Sequence, residues 1–141
     1  DGNPVVERPN AYVEANVLIA SGGGVPATGF ALRYQSATGD FYQLGFRDNV
    51  GAYEYIIRRW NAGGAAWVVI KNWTVAAGAP NPAVAHDFKV WLEGRYLTFA
   101  IDGVYSETAY DLGVDITGPG RWGFICWLAG NDLTVDSWRY W

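Results

Sequence analysis

Glu14, Arg33 and Asp136 each fall at an alternating position of a short apolar run, and Gln35, Gln43, Trp91, Trp127 and Trp138 fall at the same alternation. Carboxylates, amides and guanidinium groups hydrogen-bond hydroxyls, and flat rings stack on apolar C–H surfaces. Together they are the groups needed to hold a sugar ring. In this reading Arg33 lies between Glu14 and Asp136 and keeps both ionised. Two plainer roles fit the same residues. The charges suit a cross-strand network that stabilises a sheet, and each tryptophan suits a secondary core beneath a loop.

A second group of rings flanks the turn in "RRWNAGGAAWVVIKNW", residues 58–73. Centring that turn on Gly63–Gly64 predicts Trp60 opposite Trp67, Arg58 opposite Val69 and Ile57 opposite Ile70. Ile57 and Ile70 then face the core, and Trp60 and Trp67 form a cross-strand pair on the other face. That pair is either a clasp of the hairpin or one wall of a binding groove. Trp73 shares the parity of Trp67 and either extends the wall or tucks under the 76–85 loop.

These side chains need strands to hold them. The chain has 141 residues, half of them hydrophobic, which is one domain's length and enough for a substantial core. Eight Trp and nine Tyr exceed what a small core uses, so some rings are contact surface. Helical spacing is almost absent. Period-two runs recur instead, about ten of them between Gly-rich turns such as "ATGD" and "IDGV". An antiparallel sandwich over residues 1–141 is predicted. Alternation sends Val13, Ala15, Val17 and Ile19 inward, with Phe30, Leu32, Tyr34, Tyr42, Leu44, Phe46, Phe88, Val90, Leu92, Phe99, Trp122, Phe124, Cys126 and Val135. It sends the candidate polar and indole residues outward.

Several functions are excluded or disfavoured. A net charge of −4 with only two Lys does not suit nucleic acid or an anionic membrane. No apolar run is long enough to span a bilayer. One cysteine, Cys126, forms no internal disulfide, and one histidine, His86, builds neither a zinc site nor a nucleophilic triad. His86 reads as the surface start of a strand. "SGGG" lacks the Lys and the helix of a phosphate cradle. The five glutamates are scattered singly, so the close carboxylate pair of a glycosidase is missing and catalysis is not expected. The opening "DGNPVVERPN" reads as a processed start, with targeting information removed.

The order "YVEANV", "GFALRYQ", "FYQLGF", "HDFKVWLEGRYLTFAIDGV", "GRWGFICW", "LTVDSWRY" covers nearly the whole chain. It resembles the concanavalin A-like lectin/glucanase superfamily, and within it the laminin G-like jelly rolls that serve as carbohydrate-binding modules beside glycoside hydrolases. The resemblance implies an all-β jelly roll of two curved sheets that binds a polysaccharide or oligosaccharide on a concave face or its rim loops. It implies a secreted or cell-surface location within a larger multidomain protein. Some relatives use a Glu, an Arg and an Asp in a shallow pocket, which Glu14, Arg33 and Asp136 match. Many hold a structural calcium, for which 111–115 and 129–133 are the oxygen-bearing loops; no other cofactor is implied. Catalytic relatives carry Glu-x-Asp-x-x-Glu, which is absent. A protein-interaction jelly roll of the adhesion or phage-tail type is the alternative, and a glucanase-like hydrolase comes third.

Overall fold

The computed structural model describes residues 10–20, 27–49, 52–74, 84–103, 105–113, 116, 119–127 and 132–140. The strands are β1 (Ala11–Ala20), β2 (Ala27–Tyr34), β3 (Phe41–Asn49), β4 (Ala52–Asn61), β5 (Ala66–Thr74), β6 (His86–Glu93), β7 (Tyr96–Ile101), β8 (Tyr105–Tyr110), β9 (Arg121–Trp127) and β10 (Asp132–Tyr140). They form two five-stranded antiparallel sheets, ordered β10-β1-β6-β7-β8 and β5-β4-β3-β2-β9.

Alternation explains most of this. In β6, Phe88, Val90 and Leu92 are buried while Asp87 and Glu93 are exposed. Val13, Ala15 and Val17 of β1 join them, with Leu97, Phe99 and Ile101 of β7. Phe30, Leu32, Tyr42, Leu44, Tyr55 and Ile57 close the core from the second sheet, and Phe124 and Val135 pack against it. Rings cross the gap between sheets: Phe30 lies 6.0 Å from Phe88, and Tyr55 lies 5.6 Å from Phe99. Each fully buried large side chain contributes about 1.5–3 kcal/mol. Gly29 is required where β2 meets β3, because a Cβ there would fall 2.1 Å from the Leu44 carbonyl oxygen.

Three bulges break the alternation and correct the expected faces. In β2 the register with β9 shifts between Ala31 and Tyr34, and Arg33 has φ 53°. Arg33 therefore turns inward, only 3% exposed, and Tyr34 turns outward, 39% exposed; the opposite was expected of both. In β10, Asn16 pairs with Ser137 and Val17 with Val135, which leaves Asp136 as the extra residue. In β5, Ile57 pairs with Lys71 rather than Ile70, yet Ile70 still packs against the core as expected, and Arg58 pairs with Val69 and Trp60 with Trp67.

A polar seam fastens the two sheets at one end. Arg33 Nη1 donates to the carbonyls of Gly94 and Ile116, both at 2.8 Å. Arg59 Nη1 meets Asp111 Oδ2 at 2.5 Å, and the Tyr42 hydroxyl donates to the same oxygen at 3.0 Å. The Gly113 N–H donates to Asp111 Oδ1 at 2.9 Å, completing the carboxylate's shell.

Candidate functional site

The expected triad does not assemble. Glu14 and Asp136 stand in the first sheet, whereas Arg33 belongs to the second and is spent on the seam. Glu14 is paired with Lys89 Nζ at 2.8 Å and accepts a hydrogen bond from the Tyr12 hydroxyl. Those two hydrogen bonds hold its carboxyl below the usual range. Lys89 is correspondingly raised by Glu14, and Tyr12 is raised by burial and then by Glu14. Asp136 is exposed at the β10 bulge. Beyond the bulge, Arg139 pairs in register with Glu14 and Trp138 with the core residue Ala15, so Trp138 leaves the row where simple alternation put it. The Trp138 side chain lies outside the described residues. Trp91 does stand on the Glu14 face, next to Tyr12 at 5.0 Å between ring centroids. Gln35 ties the end of β2 to Pro119, its Nε2 donating to that carbonyl at 3.1 Å.

The outer face of the second sheet brings other groups together. Register divides it into rows across the strands. The first is Phe41–Trp60–Trp67. The second is Gly123–Ala31–Gln43–Arg58–Val69, and the third is Ile125–Gly29–Gly45–Ile56–Asn72. The fourth carries Glu54, with Trp127 in register at its far end. The indole of Trp127 and that of Trp73 lie outside the described residues. The β5 bulge moves Trp73 into register with the core residue Tyr55, away from the Trp67 row.

This face points away from the inter-sheet core, yet much of it is buried. Gln43 is 0% exposed, Ile56 0%, Arg58 7% and Glu54 9%. Ile56 is not part of the core cluster. The Arg58 guanidinium lies 3.6 Å from the centroid of the Trp67 ring, and its Nε donates to Gln43 Oε1 at 2.7 Å. Arginine only donates, so the pairing fixes the Gln43 amide with its oxygen toward Arg58. Gln43 Nε2 is then left buried with no hydrogen-bond partner among the described residues. A buried unsatisfied donor costs about 1–3 kcal/mol.

Rings wall one end of this polar pair. Trp60 and Trp67 are 5.1 Å apart, Phe41 meets Trp67 edge-on at 5.5 Å, and Tyr34 reaches Phe41 at 6.1 Å. On the other side the second and third rows hold only Gly or Ala in β2, with Gly45 in β3 and Gly123 in β9. Gly29 and Gly45 are buried, whereas a Cβ at Gly123 would meet nothing within 4 Å. A ligand can approach the backbone closely at Gly123 alone of these. Sequence reasoning named Trp60, Trp67 and Gln43 but passed over Arg58, Phe41 and Tyr34. Arg58 could have been found from its parity with Trp60.

No protein-family model matches the sequence, and no curated protein matches it. Solved structures do match. The carbohydrate-binding module CBM66 from Bacillus subtilis superposes with a TM-score of 0.71 at 14% identity, over 96% of this chain and 76% of that one. The fold is an antiparallel β-sandwich of the jelly-roll kind that these structures share. Sheep galectin-11 shares it with a TM-score of 0.62 at 12% identity, over 96% of this chain and 93% of that one. The GH43 protein BlXynB from Bacillus licheniformis shares it at 0.61 and 9% identity, over 94% of this chain but 27% of that one. The jelly roll is thus an autonomous module in some proteins and one part of a longer chain in others.

Among the described residues no helix is long and apolar enough to cross a membrane, and no group of three or more His, Cys, Asp or Glu is placed to hold a metal. Of the 111–115 loop, Asp111 is engaged by Arg59 and Tyr42; residues 129–131 of the other loop lie outside the described residues.

Proposed function

We propose that this domain binds a carbohydrate without cleaving it, on the outer face of the second sheet, outside the cell and as part of a larger protein. The observation that carries the reading is the partly exposed wall of rings, Tyr34, Phe41, Trp60 and Trp67, backed by the buried Trp67–Arg58–Gln43 clamp. Trp60 and Phe41 offer flat surfaces for the C–H face of a sugar. Arg58 and Gln43 are buried behind these rings and act by holding them rather than by touching the ligand. Trp67 is thereby fixed before a sugar arrives, so little side-chain entropy is lost on binding. These four rows hold one carboxylate among the described residues, Glu54, where glycoside hydrolysis needs two. The fold shared with a carbohydrate-binding module and a galectin supports the same reading.

Calorimetry against a panel of neutral and acidic polysaccharides tests it. A ligand should be found, and Trp60→Ala should weaken its binding about tenfold, the worth of one good ring contact. Unchanged affinity in both Trp60→Ala and Arg58→Lys would move the site off this face.

A further inference from the structure

The outer face of the first sheet carries a second array of rings that the site above does not use. Tyr12 pairs in register with Trp91, Trp91 with Thr98 and Thr98 with Thr108, forming one row across β1, β6, β7 and β8. The next row carries Glu93, Tyr96 and Tyr110. Its two tyrosines are 4.9 Å apart between centroids and stand open to solvent, 57% and 42% exposed. The Tyr12–Trp91 pair and the Tyr96–Tyr110 pair are two strands and two residues apart, roughly 12 Å centre to centre from strand geometry. Between them lie the Thr98 and Thr108 hydroxyls, 2.9 Å from one another. On the far side of the Tyr12–Trp91 row a shallow groove of about 270 Å³ is lined by Glu14, Asn16, Asp87, Lys89 and Arg139.

We infer that this face is a second glycan-binding surface, one that takes the flank of an extended, uncharged polysaccharide, so that the domain can hold two chains at once. The inference rests on the carbohydrate reading of the domain. The occupant follows from the chemistry of the face. Its rings are interleaved with the Thr98 and Thr108 hydroxyls rather than joined into one apolar patch. Its charges are of mixed sign: Lys89 pairs with Glu14 at 2.8 Å, and Asp87 and Arg139 line the same groove. No single-sign field is left to attract a polyanion. Open tyrosines with hydroxyl tips instead suit alternating C–H and O–H surface, and the spacing of the ring pairs suits a chain several sugars long. The two faces point in opposite directions across the sandwich, so one stiff chain cannot lie on both. Holding two chains means bridging them.

The test uses the intact domain with insoluble and soluble forms of neutral polysaccharides: fructan, xylan, mixed-linkage glucan and cellulose. The variants are Tyr96→Ala, at an open position where the fold is not at risk, Trp91→Ala, and Trp60→Ala on the other face. The inference expects Tyr96→Ala and Trp91→Ala each to lower retention on the insoluble polymer about tenfold. They should leave intact the short-oligosaccharide affinity that Trp60→Ala weakens. Wild type should make a soluble polysaccharide turbid, and every single-face variant should not. Wild-type retention and turbidity in both Tyr96→Ala and Trp91→Ala overturn the inference and leave the first site standing. Loss of all retention in Trp60→Ala alone overturns it as well. Retention that depends on Tyr96 and Trp91 but not on Trp60 or Arg58 supports this face and refutes the other. No binding of any polysaccharide by wild type refutes both.

Discussion

Arg58 does two jobs with one rigid group. Its plane covers the Trp67 ring while its Nε holds the Gln43 oxygen. Lysine can supply the charge but not the flat fork, so Arg58→Lys should release the amide. The expected outcome is a tenfold or greater loss of ligand affinity together with a melting temperature lowered by several degrees, because the Gln43 oxygen loses its buried donor, read by calorimetry and thermal unfolding on the same sample. Glu14 makes a different, pH-dependent contribution. Its carboxyl is held below the ordinary range in the folded protein, first by the Lys89 hydrogen bond and then by Tyr12. The stability it adds is therefore present above the ordinary carboxylate pKa of about 4.3, and disappears as pH falls through the lower folded value. Wild type should exceed Glu14→Gln in urea midpoint at pH 7, and the two should converge in acid. The pair is half-exposed and the margin is small. Equal midpoints at pH 7 would show that the pair adds nothing.

At the level of elements, the seam ties the two sheets through a buried ion pair. Asp111 Oδ2 receives both Arg59 and Tyr42, and the ion pair has under a tenth of either side chain exposed. Removing one member strands the other in a buried site, so Asp111→Ala should cost about 3–5 kcal/mol. The double change of Asp111 and Arg59 to apolar residues should cost less than Asp111→Ala alone; a double-mutant cycle in urea decides. The strands themselves were legible in the sequence wherever the pairing stayed regular. In β6 the alternation of Phe88, Val90 and Leu92 was read correctly because no residue is inserted. The Trp60–Trp67 pairing was read correctly up to the bulge beside Ile70, and beyond it the register takes Trp73 out of the Trp67 row where parity put it. Arg33 and Trp138 were misplaced for the same reason. A count by twos cannot see an extra residue, and one extra residue exchanges the two faces of everything after it. The Glu14–Arg33–Asp136 site rested on such counts in two of its three strands. Arg58, by contrast, lies on an uninterrupted stretch from Trp60.

For the whole molecule, strand order sets when the fold can close. β9 lies at the outer edge of one sheet, against β2, and β10 at the outer edge of the other, against β1. Both come last in the chain, and each partners one of the first two strands. A polypeptide still being made and not yet extended past Gly120 would therefore leave β1 and β2 with bare edges at the same time. Those edges are open templates for another chain. Vectorial synthesis should thus hold this domain in an adhesive half-built state until its final segment emerges. Stalled nascent chains ending at residue 120 should be cut readily by protease and captured by chaperones, whereas chains with all 141 residues clear of the exit tunnel should resist.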